Sequence, residues 1–337
     1  MHMADALLSP TVGATLWAAT AGTIAIGSHR VARSFDDRRI PLMGVLGAFV
    51  FAAQMINFTI PGTGSSGHLG GGLLLAILLG PHAAFLTLAS VLIVQALFFA
   101  DGGLLALGCN IFNLGFFPCY IAYPFIYRRI VTPGAGRGRL LTGTLLAAIV
   151  GLQLGAFSVV LETTLSGVAE LTLPAFTLLM QPIHLAIGAI EGLATAAIVL
   201  FLATARPDIL NGINPEAQSG LSLRRLGIAL LLCTALTGGL ISWFASDLPD
   251  GLEWALSQAT GHEEVAAPAT LPHQLSTALQ EKTSLMPDYA PSGQSESGRL
   301  GTSLAGLIGS GLVLLLTAGA VRLLRPRRVR SDNSTPN

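Results

Sequence analysis

Residues 174–204 read PAFTLLMQPIHLAIGAIEGLATAAIVLFLAT, a run in which Glu191 is the one acid and no Lys or Arg occurs. A helix crossing the hydrocarbon core of a bilayer needs roughly 20 mostly apolar residues, so this run is long enough to cross with tilt to spare. Reading outward from it, eight more windows have the same character. The expected spans are 9–28, 40–58, 69–83, 84–100, 104–127, 140–161, 174–204, 226–246 and 301–323. The third is short and Gly-rich, and it is broken at Gly80-Pro81. The fold class that follows is an all-α polytopic membrane protein.

Composition points the same way. The 337 residues are 52% hydrophobic and 11% charged, whereas a soluble domain carries about 25% charged residues. Acids and bases balance at 18 each, but Lys282 is the single lysine. That excludes a nucleic-acid-binding surface. It also excludes a P-loop ATPase, because no GxxxxGK[ST] occurs. Cys109, Cys119 and Cys233 sit in apolar runs without CxxC spacing and read as buried, inert thiols rather than a disulfide framework.

Charge placement gives an orientation, since Lys and Arg are retained on the cytoplasmic side. Arginines follow the first span (Arg30, Arg33, Arg38, Arg39) and the fifth (Arg128, Arg129, Arg137, Arg139). They recur between the seventh and eighth (Arg206, Arg224, Arg225) and after the ninth (Arg322, Arg325, Arg327, Arg328, Arg330). With nine spans these all fall on one side, and only Lys282 and Arg299 are left over. The expected N-terminus is extracytoplasmic and the C-terminus cytoplasmic, in the inner membrane. A cleaved signal peptide starts with a basic segment. None precedes Arg30, so Met1 is expected to stay attached.

The chain divides into a seven-span unit, 1–205, a polar cytoplasmic linker, 206–225, and a two-helix hairpin, 226–323, followed by a basic tail, 324–337. The hairpin encloses a long extracytoplasmic loop, 247–299. It carries Asp247, Asp250, Glu253, Glu263, Glu264, Glu281, Asp288 and Glu296 against Lys282 and Arg299. That acid surplus is either a cation-attracting surface or a solvated loop avoiding positive charge.

Chemistry concentrates at the start, Met1-His2-Met3-Ala4-Asp5. The free amine of Met1, the backbone amide of His2 and its imidazole Nδ1 can close fused five- and six-membered chelate rings. Planar nitrogen ligation of this kind favours Ni(II) or Cu(II), and a fourth nitrogen would complete it. His68, in Pro61-Gly-Thr-Gly-Ser-Ser-Gly-His68-Leu-Gly-Gly71, is the candidate, because the span count puts it on the same side as Met1. A lone loop histidine is ordinarily surface decoration. Here Gly67 and Gly70 flank one that opens an apolar span, and irregular backbone at membrane depth is tolerated only where protein or a cavity covers it. Asn57, Gln95, Asn110, His184 and Glu191 are further polar residues near or within spans. They are candidates for orienting a bound ion from outside its immediate ligands, with interhelical hydrogen bonding as the alternative. His184 and Glu191 lie two turns apart on one helix face, where a mutual hydrogen bond or ion pair is the simpler reading.

MHMADALLSP, MINFTIPGTGSSGHLGG, QALFFADGGLLALGCNIFN and IHLAIGAIEGLATA, in that order across residues 1–205, resemble the CbiM/NikM substrate-binding components of energy-coupling factor transporters for cobalt and nickel. Pro249-Asp250-Gly251-Leu252-Glu253-Trp254 and Pro287-Asp288-Tyr289 resemble the CbiN/NikN partner, as in fused MN proteins. The resemblance implies a seven-helix S-component-like bundle plus a two-helix hairpin. It implies Ni2+ or Co2+ as transported substrate, bound through Met1, His2 and His68, and no catalytic cofactor. It also implies a separate CbiQ/NikQ-like coupling protein and CbiO/NikO-like cytoplasmic ATPases. Two other classes compete. An intramembrane metallohydrolase would need an open metal position and a general base, and no HExxH is present; a passive cation channel would not retain its ion.

Overall fold

The computed structural model describes residues 2–33, 39–167, 171–206, 210, 222–262, 265–290 and 298–324. Met1, most of the 206–225 linker, the tail beyond Leu324, and Glu263, Glu264 and Glu296 of the acidic loop lie outside the described residues.

The helices are α1 Pro10–Arg33, α2 Arg39–Gln54, α3 Gly72–Leu79, α4 Pro81–Phe98, α5 Leu107–Ile130, α6 Arg137–Ser166, α7 Leu173–Ala205, α8 Leu223–Gly239, α9 Gly251–Thr260, α10 Leu271–Thr283 and α11 Arg299–Leu323. Among the described residues, six segments are long and apolar enough to cross a membrane: α4, α5, α6, α7, Arg224–Phe244 and α11. The protein is an all-α polytopic membrane protein. Large apolar side chains such as Leu178, Phe201, Leu232 and Leu315 point outward, each more than 60% exposed. Water would not tolerate so extensive a surface, whereas lipid does. Cys109 and Cys119 are buried as expected, but Cys233 faces outward on α8, where a thiol is simply one more apolar group.

The third expected span is not a full crossing. Gly80, at φ +81°, ends α3 after eight residues, and Pro81 starts α4. Eight residues rise about 12 Å, less than half of a ~30 Å hydrocarbon core. Every residue of α3 is buried, so it fills the bundle instead of lining it. Within α5, Phe112–Tyr127 is wound as a π-helix containing Pro118 and Pro124. Neither proline has an N–H to donate, and a wider turn is one way to absorb that loss.

Between α2 and α3 the chain forms a short antiparallel pair, β1 Phe58–Ile60 with β2 Ser65–Gly67, in the register Phe58↔Gly67, Thr59↔Ser66 and Ile60↔Ser65. Gly62 and Gly64, at φ +78° and +76°, make its turn. The sequence reading treated this stretch as irregular loop. The pair is what fixes the backbone that carries His68.

Small residues set the helix spacings, as in membrane bundles generally. Gly188 and Gly192 of α7 lie against the backbone of Ile149 and Leu145 on α6. Gly306 of α11 crosses Gly238 of α8 backbone to backbone, and Gly309 lies flat on the Phe51 ring of α2. On α1 the buried residues are Gly13, Thr20 and Gly27, while Ala21 and Ala25 are exposed.

A Cβ at Gly309 would fall 2.0 Å from Phe51 Cζ, whereas nothing lies within 4 Å of one at Gly311. Gly309→Leu is therefore expected to lower the melting midpoint of the detergent-solubilised protein by several degrees, as overpacking costs about 1–3 kcal/mol. Gly311→Leu should leave it within about a degree.

Candidate metal centre

The first residues do not start a helix, and the bundle holds them by their backbone. Asn110 on α5 takes both sides of Met3: its Oδ1 accepts from the Met3 N–H at 2.8 Å, and its Nδ2 donates to the Met3 carbonyl at 3.2 Å. The Gly103 N–H donates to that same carbonyl at 2.9 Å. Asn113, one turn along, donates to Glu162 Oε2 at 2.8 Å. Glu162 is a buried acid on α6 that the sequence reading did not single out. Asp5 is anchored by the Ala106 N–H at 2.9 Å and by the Ser276 hydroxyl. Met3, Leu7 and Leu8 are buried in the core.

The second ligand-bearing segment is held as firmly. Ser66 N–H donates to the Pro249 carbonyl at 2.8 Å and its hydroxyl to the Leu248 carbonyl at 2.7 Å. Gln95 Nε2 donates to Gln54 Oε1 at 2.8 Å, and Gln54 Nε2 donates to the Gly70 carbonyl at 2.9 Å. The two carboxylate oxygens of Glu191 accept from the Gly70 and Gly71 N–H groups, each at 3.0 Å. Thus Glu191 holds the loop following His68, while His184 bonds the Met180 carbonyl at 2.7 Å; the two do not pair with each other, because each has a nearer partner. Gly67 has no room for a side chain, since a Cβ there would lie 2.5 Å from Ile187.

These two anchors bring His2 and His68 together. Their rings stack with centroids 5.0 Å apart and planes inclined at 22°, and Nε2 of each is buried without a hydrogen-bond partner among the described residues. Burial pulls the His68 imidazole down to about 3 and lowers that of His2 as well. The neutral form, which is the metal-binding form, is therefore favoured. His2 Nδ1 lies 3.5 Å from Asp101 Oδ1, and His68 Nδ1 lies 3.2 Å from the Leu69 carbonyl. Of the expected site residues, His2 and His68 meet directly. Asn110, Gln95 and Glu191 fix the segments around them. Asn57 lines the adjoining cavity and accepts the Ser246 N–H at 2.8 Å. Met1 lies outside the described residues. Among the described residues, no three His, Cys, Asp or Glu side chains form a group that could hold a metal ion.

What the sequence reading missed is how far the C-terminal half reaches into this centre. His273 on α10 meets the Asp5 and Leu8 carbonyls through Nε2, at 3.1 and 3.0 Å. Gln280 donates to the Ala96 and Gly102 carbonyls at 2.9 and 2.8 Å. The Tyr289 hydroxyl donates to Asp101 Oδ2 at 2.5 Å, and its ring stacks on Phe99. Ala100, Asp288 and Tyr289 all have positive φ, at 54°, 49° and 60°. Non-glycine residues in that region are strained and persist where the surroundings hold them. A lone histidine in a polar loop gave no signal of the His273 contact. Two cavities of about 430 and 410 Å3 adjoin His2, and Asp101, Asp250, Glu253 and Asp288 line both.

Residues 2–209 match the family model of CbiM, described as the cobalt uptake substrate-specific transmembrane region. The chain belongs to the CbiM family. Residues 224–326 of this CbiM-family chain match the PDGLE domain, whose five letters stand here as residues 249–253. A putative metal transport protein of Haloquadratum walsbyi is 37% identical over 219 residues, covering 62% of this chain and 93% of the relative. The fused nickel transport protein NikMN of Rhodobacter capsulatus is 30% identical over 317 residues, covering 87% and 89%. A crystal structure of a truncated transition metal transporter superposes with a TM-score of 0.54 at 32% identity, over 60% of this chain and 99% of that one. These relatives are named as transport proteins, which sets the hydrolase alternative aside.

His273→Ala would remove the imidazole from the Leu8 carbonyl and leave the Asp5 carbonyl with the Leu8 N–H, a loss of about 1–3 kcal/mol. Hydrogen exchange at Met3, Leu7 and Leu8 is expected to rise roughly tenfold or more, with the amides of α6 and α7 unchanged. Unaltered exchange at residues 3–8 would mean that α10 does not hold the terminal peptide.

Proposed function

We propose that this CbiM-family chain is the substrate-capture subunit of an ATP-driven importer of the energy-coupling factor type, carrying nickel or cobalt into the cell. The observation that carries this reading is the stacked pair His2 and His68, each with a buried Nε2 lacking a partner among the described residues, beside a cavity lined by carboxylates. The family supplies the class of cargo: its model is described by cobalt uptake, and the Rhodobacter capsulatus relative is named for nickel.

In this reading the ion is bound by the amine of Met1, the amide and imidazole of His2, and the imidazole of His68. The fused chelate uses His2 Nδ1, so on loading the ring turns about its Cβ–Cγ bond and exchanges the Asp101 contact for the ion. Displacement of the amide proton favours a metal that accepts planar nitrogen ligation. Asn110 and Gln95 position the terminal peptide and the His68 loop, and Glu191 keeps that loop closed. Asn57 and His184 complete the polar surround. Asp101, Asp250, Glu253 and Asp288 raise the local concentration of cations at the entrance.

The seven-helix unit 1–205, α1 to α7, is the metal-binding body, and 226–323 is a hairpin whose 247–299 loop lies on the extracytoplasmic side of the centre. The 206–225 linker and the basic 324–337 tail are cytoplasmic in this reading, which the clustering of arginines there supports, and the membrane is the inner membrane. A CbiQ/NikQ-like coupling protein and CbiO/NikO-like ATPases supply the motion that releases the ion inward. The chain has no P-loop of its own.

His2→Ala and His68→Ala are each expected to abolish retention of metal through desalting, with the protein still folded in the membrane. A short peptide fused ahead of Met1 should do the same, because it converts the amine to an amide; full retention in the extended protein removes the amine from the site. Elemental analysis of protein expressed with nickel and cobalt supplied together identifies the preferred cargo. A stoichiometric ion supports capture, and metal-free protein under those conditions contradicts it.

A further inference from the structure

One buried imidazole has the form of a ligand but lies beyond the His2–His68 pair. His184 on α7 is 1% exposed. Its Nδ1 lies 2.7 Å from the Met180 carbonyl oxygen, which can only accept, so Nδ1 carries the proton and Nε2 a lone pair. That Nε2 is buried without a partner among the described residues. His68 repeats the pattern, with Nδ1 against the Leu69 carbonyl and Nε2 unpartnered among the same residues. A ring nitrogen aimed by an Nδ1–H bond to a carbonyl is the usual orientation of a histidine metal ligand.

The two imidazoles line one cavity of about 10 Å3, together with Asp250. That volume is room for one water-sized occupant. His68 also lines the 430 Å3 cavity that contains His2, so it borders the outer entrance and the inner chamber alike. Buried polar nitrogens without partners are rare in folded proteins, and here two residues that carry such nitrogens, among the described residues, line one chamber sized for an ion.

We propose that His184 is a second metal-ligating residue. Together with His68, it forms an inner stop that takes a divalent borderline cation of the nickel or cobalt class after the outer set. The inference rests on the reading that His2 and His68 receive the ion first. With two imidazoles, and no third side chain grouped with them among the described residues, the inner stop binds more weakly than a four-nitrogen set. That suits a position the ion must leave.

The test uses the full chain in detergent and Co(II) chloride as probe, followed by equilibrium dialysis and the visible d–d bands of cobalt. His2→Ala should lose retention through desalting yet bind about one Co(II) at equilibrium, with Kd raised at least tenfold, roughly, over the unaltered chain. His2→Ala/His184→Ala and His2→Ala/His184→Gln should lose that remaining ion, the glutamine keeping a donor for the Met180 carbonyl. Residual binding indifferent to His184, or absence of residual binding in His2→Ala, overturns the inner stop. If the His184 variants fail to fold, X-ray absorption of cobalt-loaded His2→Ala counts imidazoles directly: two support the proposal, and one or none overturns it. Binding by His2→Ala as tight as in the unaltered chain would instead defeat the outer site, and the paired His184 variants still decide the inner one.

Discussion

An extended peptide cannot enter a helical membrane bundle unless each of its backbone N–H and C=O groups finds a partner there, because lipid and a dry interior offer none. Residues 2–8 are met from three directions: Asn110 and the Gly103 N–H on the Met3 backbone, the Ala106 N–H and Ser276 hydroxyl on the Asp5 carboxylate, and His273 on the Asp5 and Leu8 carbonyls. Everything else about the centre depends on this accommodation. Without it His2 would be a mobile residue in water, and the buried stack with His68 would not exist.

The same constraint explains why two halves of the chain meet at the centre. The bundle helices satisfy one side of the terminal peptide, and α10 supplies donors for the other. The backbone at Leu248 and Pro249 meanwhile caps β2 through Ser66, so the segment beginning PDGLE touches the loop that carries His68. The acids along this junction, Asp101, Asp250, Glu253 and Asp288, lie at the cavity walls rather than inside the apolar core. There their charge remains partly solvated and can act on ions outside. Farther in, His68, His184 and Asp250 line one small chamber whose other walls include Leu114, Leu152 and Ile187.

Much of this was legible in residue order. The apolar runs announced the membrane class, and most of their limits agree with the helices; α7, at Leu173–Ala205, nearly coincides with the quoted 174–204. The third run, 69–83, misled because hydropathy counts apolar residues without asking whether the chain turns: Gly80 at positive φ splits it into a buried half-helix and the start of α4. His2 and His68 could be named from sequence because chelate-ring size and a glycine-flanked loop are local features. His273, Glu162 and the Tyr289–Asp101 bond could not. Each is a long-range pairing, 268, 49 and 188 residues apart, and nothing local distinguishes those side chains from ordinary polar ones.

By itself, then, the sequence determined the solvent and the helical class and singled out the two histidines as candidates, because hydrophobic run length and chelating patterns are properties of short segments. Only the tertiary structure decided that these histidines stack, that Glu191 clasps the loop behind one of them while His184 faces a separate chamber, and that the C-terminal half closes over the N-terminal peptide. Those outcomes arise from which buried polar groups are left to satisfy one another once the helices have packed, and no window along the chain contains that information.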